Sequence, residues 1–437
     1  MFTSLKIFKF LFYAFPVFMF SSSGYLNAYI FFLIIYSIFF FYLNKIKINI
    51  IILDYFIILF FLSCSISSLL NLNQIGKFNI IGNEFNLEIS AFAKSIFNFR
   101  FFLLYIIVRH AIDKQLVNIK ILSIICLICT VLLSFDIFLQ HLIGFDIFNN
   151  PPFDGRYNGF FEHEAIAGGY IQKFFVMSII FLFFLKKNYL NKFFIIIFIN
   201  TLGLGILLSL DRMPYLIFLL SIIILLITLK NYRIQLFISF ILTIFVFQIF
   251  FYNYNIVKNR YVNLVGELEL VKITKLFRNN ISETLTMSKN IDNFDNNLKS
   301  DYLKIYKASF YVFFKNPILG TGLKSFSYEC NKLQNINKSF TCSTHPHNIY
   351  LEVLVNQGIL GLLLFLSIIL ILINNNYSNL FFSQLSSEKK ILSILFFSIL
   401  ISELIPIRSY GSIFQTVNGS IFWFLLSIIS SKIHVIK

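Results

Sequence analysis

Thr344-His345-Pro346-His347-Asn348 runs directly into Ile349-Tyr350-Leu351-Glu352-Val353-Leu354-Val355-Asn356-Gln357-Gly358-Ile359-Leu360-Gly361 and then Leu362 to Leu366. Two histidines thus stand at the foot of a hydrophobic helix, at the end of the one long polar segment of the chain. The ordinary pKa of histidine lies near neutrality, so it can take and give protons at working pH. At a membrane surface that points to chemistry on something that arrives by way of the bilayer.

The sequence on either side is apolar. Of 437 residues, 58% are hydrophobic and 13% charged, and Phe alone occurs 59 times. Mean hydropathy is +0.79. A soluble protein of this length needs far more charged surface, so the composition predicts a polytopic membrane protein. The net charge of +16 would suggest nucleic acid in a soluble chain. Here most of it falls in short loops, where Lys and Arg set topology, and nucleic acid is not implied.

Apolar runs of bilayer length, about 17–25 residues, fall at 5–22, 26–43, 50–70, 95–112, 117–141, 164–186, 190–209, 213–230, 233–252, 348–373, 389–407 and 416–433. They predict an all-α fold of about twelve transmembrane helices. Nine lie in residues 1–252, a large outer loop spans 253–347, and three more lie in 348–437. No small-x-small cleavage site follows residues 5–20, which therefore read as a first helix rather than a signal peptide.

With the N-terminus in the cytoplasm beside Lys6 and Lys9, the inner loops carry Lys45, Lys47, Arg109, Lys114, Lys120, Lys186, Lys187, Lys192, Lys230, Arg233, Lys389, Lys390, Lys432 and Lys437. The short outer loops carry only Lys77, Lys94, Arg156, Arg212 and Arg408. The alternation matches the positive-inside rule. In the large loop, Tyr302 to Phe314 predicts an amphipathic helix. Asn316-Pro317 and Gly320-Thr321-Gly322 mark turns.

This topology collects Arg156, Arg212, Arg408 and His347 at the outer face, with Arg100, Asp136 and Glu403 near the outer ends of helices. Ionisable groups at membrane depth are costly and usually face a cavity or one another. Converging arginines suit a diphosphate, because the guanidinium fork matches phosphate oxygens; the alternative for each alone is a head-group anchor. Arg156 lies in Gly155-Arg156-Tyr157-Asn158-Gly159, where glycines permit close backbone approach to a ligand. Arg212 precedes Pro214 at a helix start, where the dipole adds to its attraction for anions. His163 lies between Glu162 and Glu164 with no role assigned. His110, His141 and His434 read as interface residues.

His345 and His347, with Glu352 one turn on, are compatible with zinc spacing, but no HExxH or carboxylate cluster accompanies them, so no metal site is assigned. The alternative for the pair is a cap on the helix beginning near Asn348. Cys330 and Cys342 both fall in the outer segment, where an oxidising compartment would permit a disulfide that pins the strand before His345; the alternative is two unrelated thiols. Cys64, Cys126 and Cys129 read as small core residues.

Together these residues resemble the O-antigen ligase and O-antigen polymerase superfamily of bacterial membrane glycosyltransferases. His347-Asn348, nine residues, Gly358 and then Gly361 match its histidine signature. Asn316-Pro317-Ile318-Leu319-Gly320-Thr321-Gly322 with Phe326 resembles its pre-histidine segment. Gly155-Arg156 to Phe160 resembles its arginine motif, and Asp211-Arg212 its middle-helix arginine, with Asp where Ser or Glu is usual. The likeness covers roughly residues 150 to 425; the first five helices resemble the family only in hydropathy.

The resemblance implies metal-independent, cofactor-free transfer of a glycan from an undecaprenyl diphosphate carrier at the periplasmic face of the bacterial inner membrane. In the ligase the acceptor is a sugar of lipid A–core; in the polymerase it is the next carrier-linked repeat unit. The histidine signature leans to the ligase. His347 is the candidate catalytic residue. Arg156 and Arg212 are the candidate diphosphate ligands, with His345, Asn348 and Arg408 as further substrate-binding candidates. Membrane lipids are the remaining expected partner. A lipid-linked glycan transporter would need charges at mid-membrane and symmetric halves; Lys173 and Asp54 are the deeper charges, and no repeat is present. A membrane scaffold would leave the polar cluster on one face without explanation.

Overall fold

The computed structural model describes residues 2–71, 75–79, 86–162, 164–184, 189–267, 301–336, 340–381, 387–406, 408–409 and 411–432. His163, His434, Lys186, Lys187, Lys437 and residues 268–300 of the expected outer loop lie outside the described residues.

Helices follow the apolar runs. They are α1 (Phe2–Tyr13), α2 (Phe15–Phe18), α3 (Ser23–Leu43), α4 (Ile52–Leu70), α5 (Ala91–Phe97), α6 (Phe99–Asp113), α7 (Ile119–Ile143), α8 (Ala167–Phe184), α9 (Tyr189–Leu208), α10 (Arg212–Thr228) and α11 (Arg233–Asn253). The polar segment adds α12 (Asn255–Glu267), α13 (Asp301–Lys315) and α14 (Phe326–Ile336). The chain closes with α15 (Ile349–Phe381), α16 (Ser387–Leu404) and α17 (Thr416–Ser430). One addition to the helical expectation is an antiparallel hairpin between α4 and α5, in which β1 (Ile75–Asn79) pairs with β2 (Asn86–Ser90).

Among the described residues, six helices are long and apolar enough to cross a membrane, and four shorter apolar helices lie with them. Outward-facing side chains such as Phe32, Phe39, Leu363 and Leu370 are more than half exposed, as expected of a surface that faces lipid rather than water. The protein is a polytopic membrane protein.

Contacts place successive helix ends at opposite poles of the bundle. At one pole, Tyr170 near the start of α8 donates to the Pro16 carbonyl of α2 at 2.9 Å, and Ser67 near the end of α4 donates to Asn356 of α15 at 2.7 Å. At the other, Asp54 of α4 meets Arg109 of α6, and the Lys432 amide after α17 donates to Asp113. Arg109 therefore departs from the expectation of a topogenic loop charge. Its side chain is 1% exposed and lies 2.6 Å from Asp54, which also accepts from Tyr105. Such a charge is tolerable at depth because it is paired and hydrogen-bonded.

The helix after His347 is interrupted. Gly358 has φ +65° and ψ −161°, so the i to i−4 ladder of α15 stops there. Segment 316–322 fills the gap. Ile359 and Leu360 N–H donate to Pro317 and Ile318 at 2.9 and 3.2 Å. In return, Thr321 and Gly322 N–H donate to Val355 and Asn356 at 2.9 and 3.1 Å. Every backbone group in a bilayer must find such a partner. The approach needs glycine on both sides. A Cβ on Gly358 would stand 2.4 Å from the Ile318 oxygen, and one on Gly320 (φ +75°) would stand 2.4 Å from the Gln357 nitrogen. The pre-histidine segment and the distal glycine of the histidine signature are thus two halves of one contact.

Candidate active site

Arg156 sits on a tight reversal. Asp154 and Gly155 both have positive φ, +50° and +65°, and Phe153 and Arg156 exchange backbone hydrogen bonds across the turn at 3.1 and 2.9 Å. The guanidinium donates from Nη1 to Asp211 Oδ1 at 3.2 Å. The second oxygen of Asp211 accepts from the Gly168 N–H at 3.0 Å. Asp211 is nearly buried, and burial pushes its carboxyl up to about 6, against the opposing pull of Arg156.

Leu210, with φ +62°, turns the chain between α9 and α10. Asp211 becomes the residue before the helix and Arg212 its first residue. Arg212 Nη1 donates to the Arg260 carbonyl of α12 at 3.2 Å, and Arg260 Nη2 donates to the Asp154 carbonyl at 3.1 Å. Two arginines 56 positions apart are thereby tied into one frame.

His347 also takes a left-handed backbone, φ +56°. Non-glycine residues there cost about 1–2 kcal/mol each, and such strain gathers where surrounding structure fixes it for a purpose. Ser343 Oγ lies 2.8 Å from His347 Nε2. The Tyr302 ring of α13 meets the imidazole edge-on at 5.6 Å, and the His345 ring lies 4.2 Å away. Burial lowers the His347 pKa below its ordinary 6.5, so the ring is a neutral base at pH 7.

Asn348 holds this turn in place. Its Oδ1 accepts from the Tyr350 and Leu351 N–H groups at 3.0 and 3.2 Å, and its Nδ2 donates to the Pro406 carbonyl at 2.6 Å. Both ends of the amide are committed to capping α15 and tying it to the loop after α16. Asn348 thus supports the turn that carries His347, and it is not among the residues that line the cavity around that histidine. On the other flank, Cys330 of α14 is disulfide-bonded to Cys342, five residues before His347.

Arg156, Arg212, His345, His347 and Arg408 line one cavity of about 410 Å³. Lys173 of α8 and Tyr302 and Tyr306 of α13 line it as well. Among the described residues its wall holds four basic side chains, Arg156, Lys173, Arg212 and Arg408, and one carboxylate, Asp211. Such a cavity attracts anions.

Arg408 lines the cavity, where a substrate-binding candidate belongs. It is 4% exposed, not a head-group anchor. It donates to Glu403 at 3.0 Å, to Gln172 at 2.6 Å and to the Ser402 carbonyl at 2.8 Å. Within the cavity wall its charge is matched by Glu403. Arg100 is stacked on Phe97 and Phe101, and Asp136 accepts from the Ile147 N–H at 2.8 Å. Neither lines the cavity.

Sequence reasoning missed Asp211 as the residue that orients Arg156, and Lys173 as a cavity residue. The signal for Asp211 was present as the acid directly before Arg212. Lys173 offered only a lone charge inside an apolar run. Among the described residues, no three His, Cys, Asp or Glu side chains gather as metal ligands would.

Residues 194–366 match the family model described as O-antigen ligase. The span begins inside α9 and ends in α15, just beyond the break at Gly358. It contains Arg212, Arg260, Tyr302, His345 and His347, and leaves Arg156, Lys173 and Arg408 outside. No curated protein matches the chain.

Proposed function

With an O-antigen ligase family domain at residues 194–366 as the premise, we propose that this protein transfers a glycan from an undecaprenyl diphosphate carrier to an acceptor hydroxyl on lipid A–core. The family itself covers ligases and polymerases. The observation that carries the reading is that Arg156, Arg212 and His347, remote in sequence, line one cavity at one pole of the bundle. In this reading the chain crosses the inner membrane about twelve times, and the cavity opens to the periplasm.

The acceptor hydroxyl attacks the anomeric carbon of the carrier-linked sugar. The new glycosidic C–O bond forms while the C–O bond to the diphosphate breaks, and the bonding pair leaves on the phosphate oxygen. His347 takes the hydroxyl proton, with Ser343 fixing the plane of the ring. Arg156 and Arg212 meet the charge that develops on the leaving diphosphate. Because these cations are held by Asp211 and the Arg260 carbonyl before substrate arrives, little reorganisation is needed during reaction. Two guanidiniums supply the charge that a metal would otherwise bring. Tyr302, Tyr306 and His345 form the wall against which the glycan or acceptor rests.

The test is deletion of the gene and complementation with wild type or His347→Ala, read as surface glycans on a gel. Loss of all attached polymer supports the ligase; loss of long chains with one repeat retained assigns the polymerase. Unchanged profiles with His347→Ala would refute the catalytic role. In a purified assay His347→Ala should slow transfer about 100- to 10,000-fold, the usual contribution of a general base.

A further inference from the structure

Lys173 is the cavity residue that no motif predicts. It lies on α8, four positions after Gly169, which also lines the cavity. Residues i and i+4 share a helix face, so Lys173 sits about 6 Å further along the helix axis than Gly169. Gly168, at the start of the same helix, is the residue whose N–H holds Asp211. The cavity therefore has two tiers. The first carries Arg156, Asp211 and Arg212. The second, one helical turn deeper, carries Lys173 beside Arg408.

The deeper tier is built, not incidental. Lys173 is 5% exposed, and its Nζ donates to Asn418 Oδ1 of α17 at 2.9 Å. Room for that amide is made by Gly411, where a Cβ would stand 2.2 Å from Asn418 Nδ2. The neighbouring Gln172 accepts from Arg408 at 2.6 Å, and Arg408 is matched by Glu403. Two helices and the loop between α16 and α17 thus converge to aim one ammonium group into a cavity. Burying a charge at this depth is expensive and usually marks a site that meets a ligand or a partner charge. An ammonium is a point charge with three donors, well suited to a phosphate oxygen.

We propose that Lys173, oriented by Asn418, forms a second anion site one turn below the arginine pair and binds the other phosphate of a lipid-linked diphosphate. This rests on the reading of the cavity as a glycan-diphosphate site and adds to it. The arginine tier takes one phosphate, the lysine tier the other. The protein thereby distinguishes a diphosphate carrier from the monophosphate lipid, which can fill only one tier.

The experiment measures binding of undecaprenyl diphosphate and undecaprenyl monophosphate, as separate probes, to the full chain in lipid nanodiscs. Wild type should bind the diphosphate more tightly. Lys173→Met should weaken diphosphate binding about tenfold, as expected for loss of one charged hydrogen bond, and leave monophosphate binding unchanged. Lys173→Gln keeps a donor toward Asn418 Oδ1 without the charge, so it should behave like Lys173→Met even if the latter perturbs packing. Lys173→Arg should retain the preference for diphosphate. Equal weakening of both probes, or of neither, in Lys173→Gln overturns the second site and leaves the catalytic reading standing. Wild type that binds neither probe overturns both.

Discussion

Gly358→Ala is the sharpest test of how the histidine is positioned. The residue occupies φ +65°, ψ −161°, which an L side chain strongly resists. Holding alanine at positive φ costs about 1–2 kcal/mol. Its Cβ would also stand 2.4 Å from the Ile318 oxygen and 2.7 Å from the Gly320 nitrogen. Both are backbone atoms of a packed segment, so neither can rotate aside. Relief requires segment 316–322 to withdraw, which breaks the Ile359–Pro317 and Leu360–Ile318 hydrogen bonds. Each buried backbone group left unpaired costs about 1–3 kcal/mol. Counting only the two orphaned N–H groups, the combined loss is about 3–8 kcal/mol, a large share of the roughly 5–15 kcal/mol that holds a typical domain folded. Thermal unfolding of the purified protein in detergent should show a markedly lower midpoint, and transfer should fall with it because His347 stands in the turn that leads into α15. Gly24→Ala is the control, since no atom lies within 4 Å of its added methyl and the residue is not part of the cavity lining. If Gly358→Ala unfolds at the wild-type temperature and keeps full activity, the break is not what fixes the site.

Three other outcomes follow from the same geometry. Asp211→Asn removes the charged partner of Arg156 while keeping an acceptor for the Gly168 N–H; it should cost about 1–3 kcal/mol of stability and reduce transfer more than Arg156→Lys does, measured by unfolding and by initial rates side by side. The pKa of His347 lies below 6.5 because burial disfavours its charged form, so the neutral base predominates at pH 6.5 and is lost as pH falls through the lowered value. A rate profile should therefore be flat at neutrality with an acid limb below pH 6.5. Because Asp211 titrates near 6, the limb should persist in Asp211→Asn if it belongs to His347. Paired Cys330→Ser and Cys342→Ser changes open a loop whose ends are 12 residues apart; closure of a loop of that size is worth roughly 3 kcal/mol, and faster proteolytic cleavage near residue 342 with a partial loss of transfer would be the sign of it.

The membrane fold was legible because hydropathy is a sum over about twenty residues, and no single residue can spoil it. The helix breaks were less so. Ala14 and Asn98 interrupt runs that read as continuous, because an apolar run reports burial in lipid and not the path of the backbone. Arg109 misled for a related reason. By sequence it stands beside Lys114 and Lys120 as a topogenic charge, yet Asp54, 55 positions earlier, draws it inside. Pairing of that kind is a property of two helices and is invisible in either one.

The site divides along the same line. Arg156, Arg212 and His347 could be found because each carries a local backbone need, a glycine turn, a helix start or a histidine ahead of a broken helix, and local needs leave marks in local sequence. Asn348 and Arg408 were found by position, but the partners that hold them, Pro406, Glu403 and Gln172, are supplied only by the fold. Lys173 had no mark at all beyond being charged. Its partner is 245 positions away, and the space for that partner is a missing methyl on Gly411. Residues that such long-range frames bring to a cavity will be found by asking which buried charges face it, because burying a charge without a reason is the one thing a membrane helix seldom does.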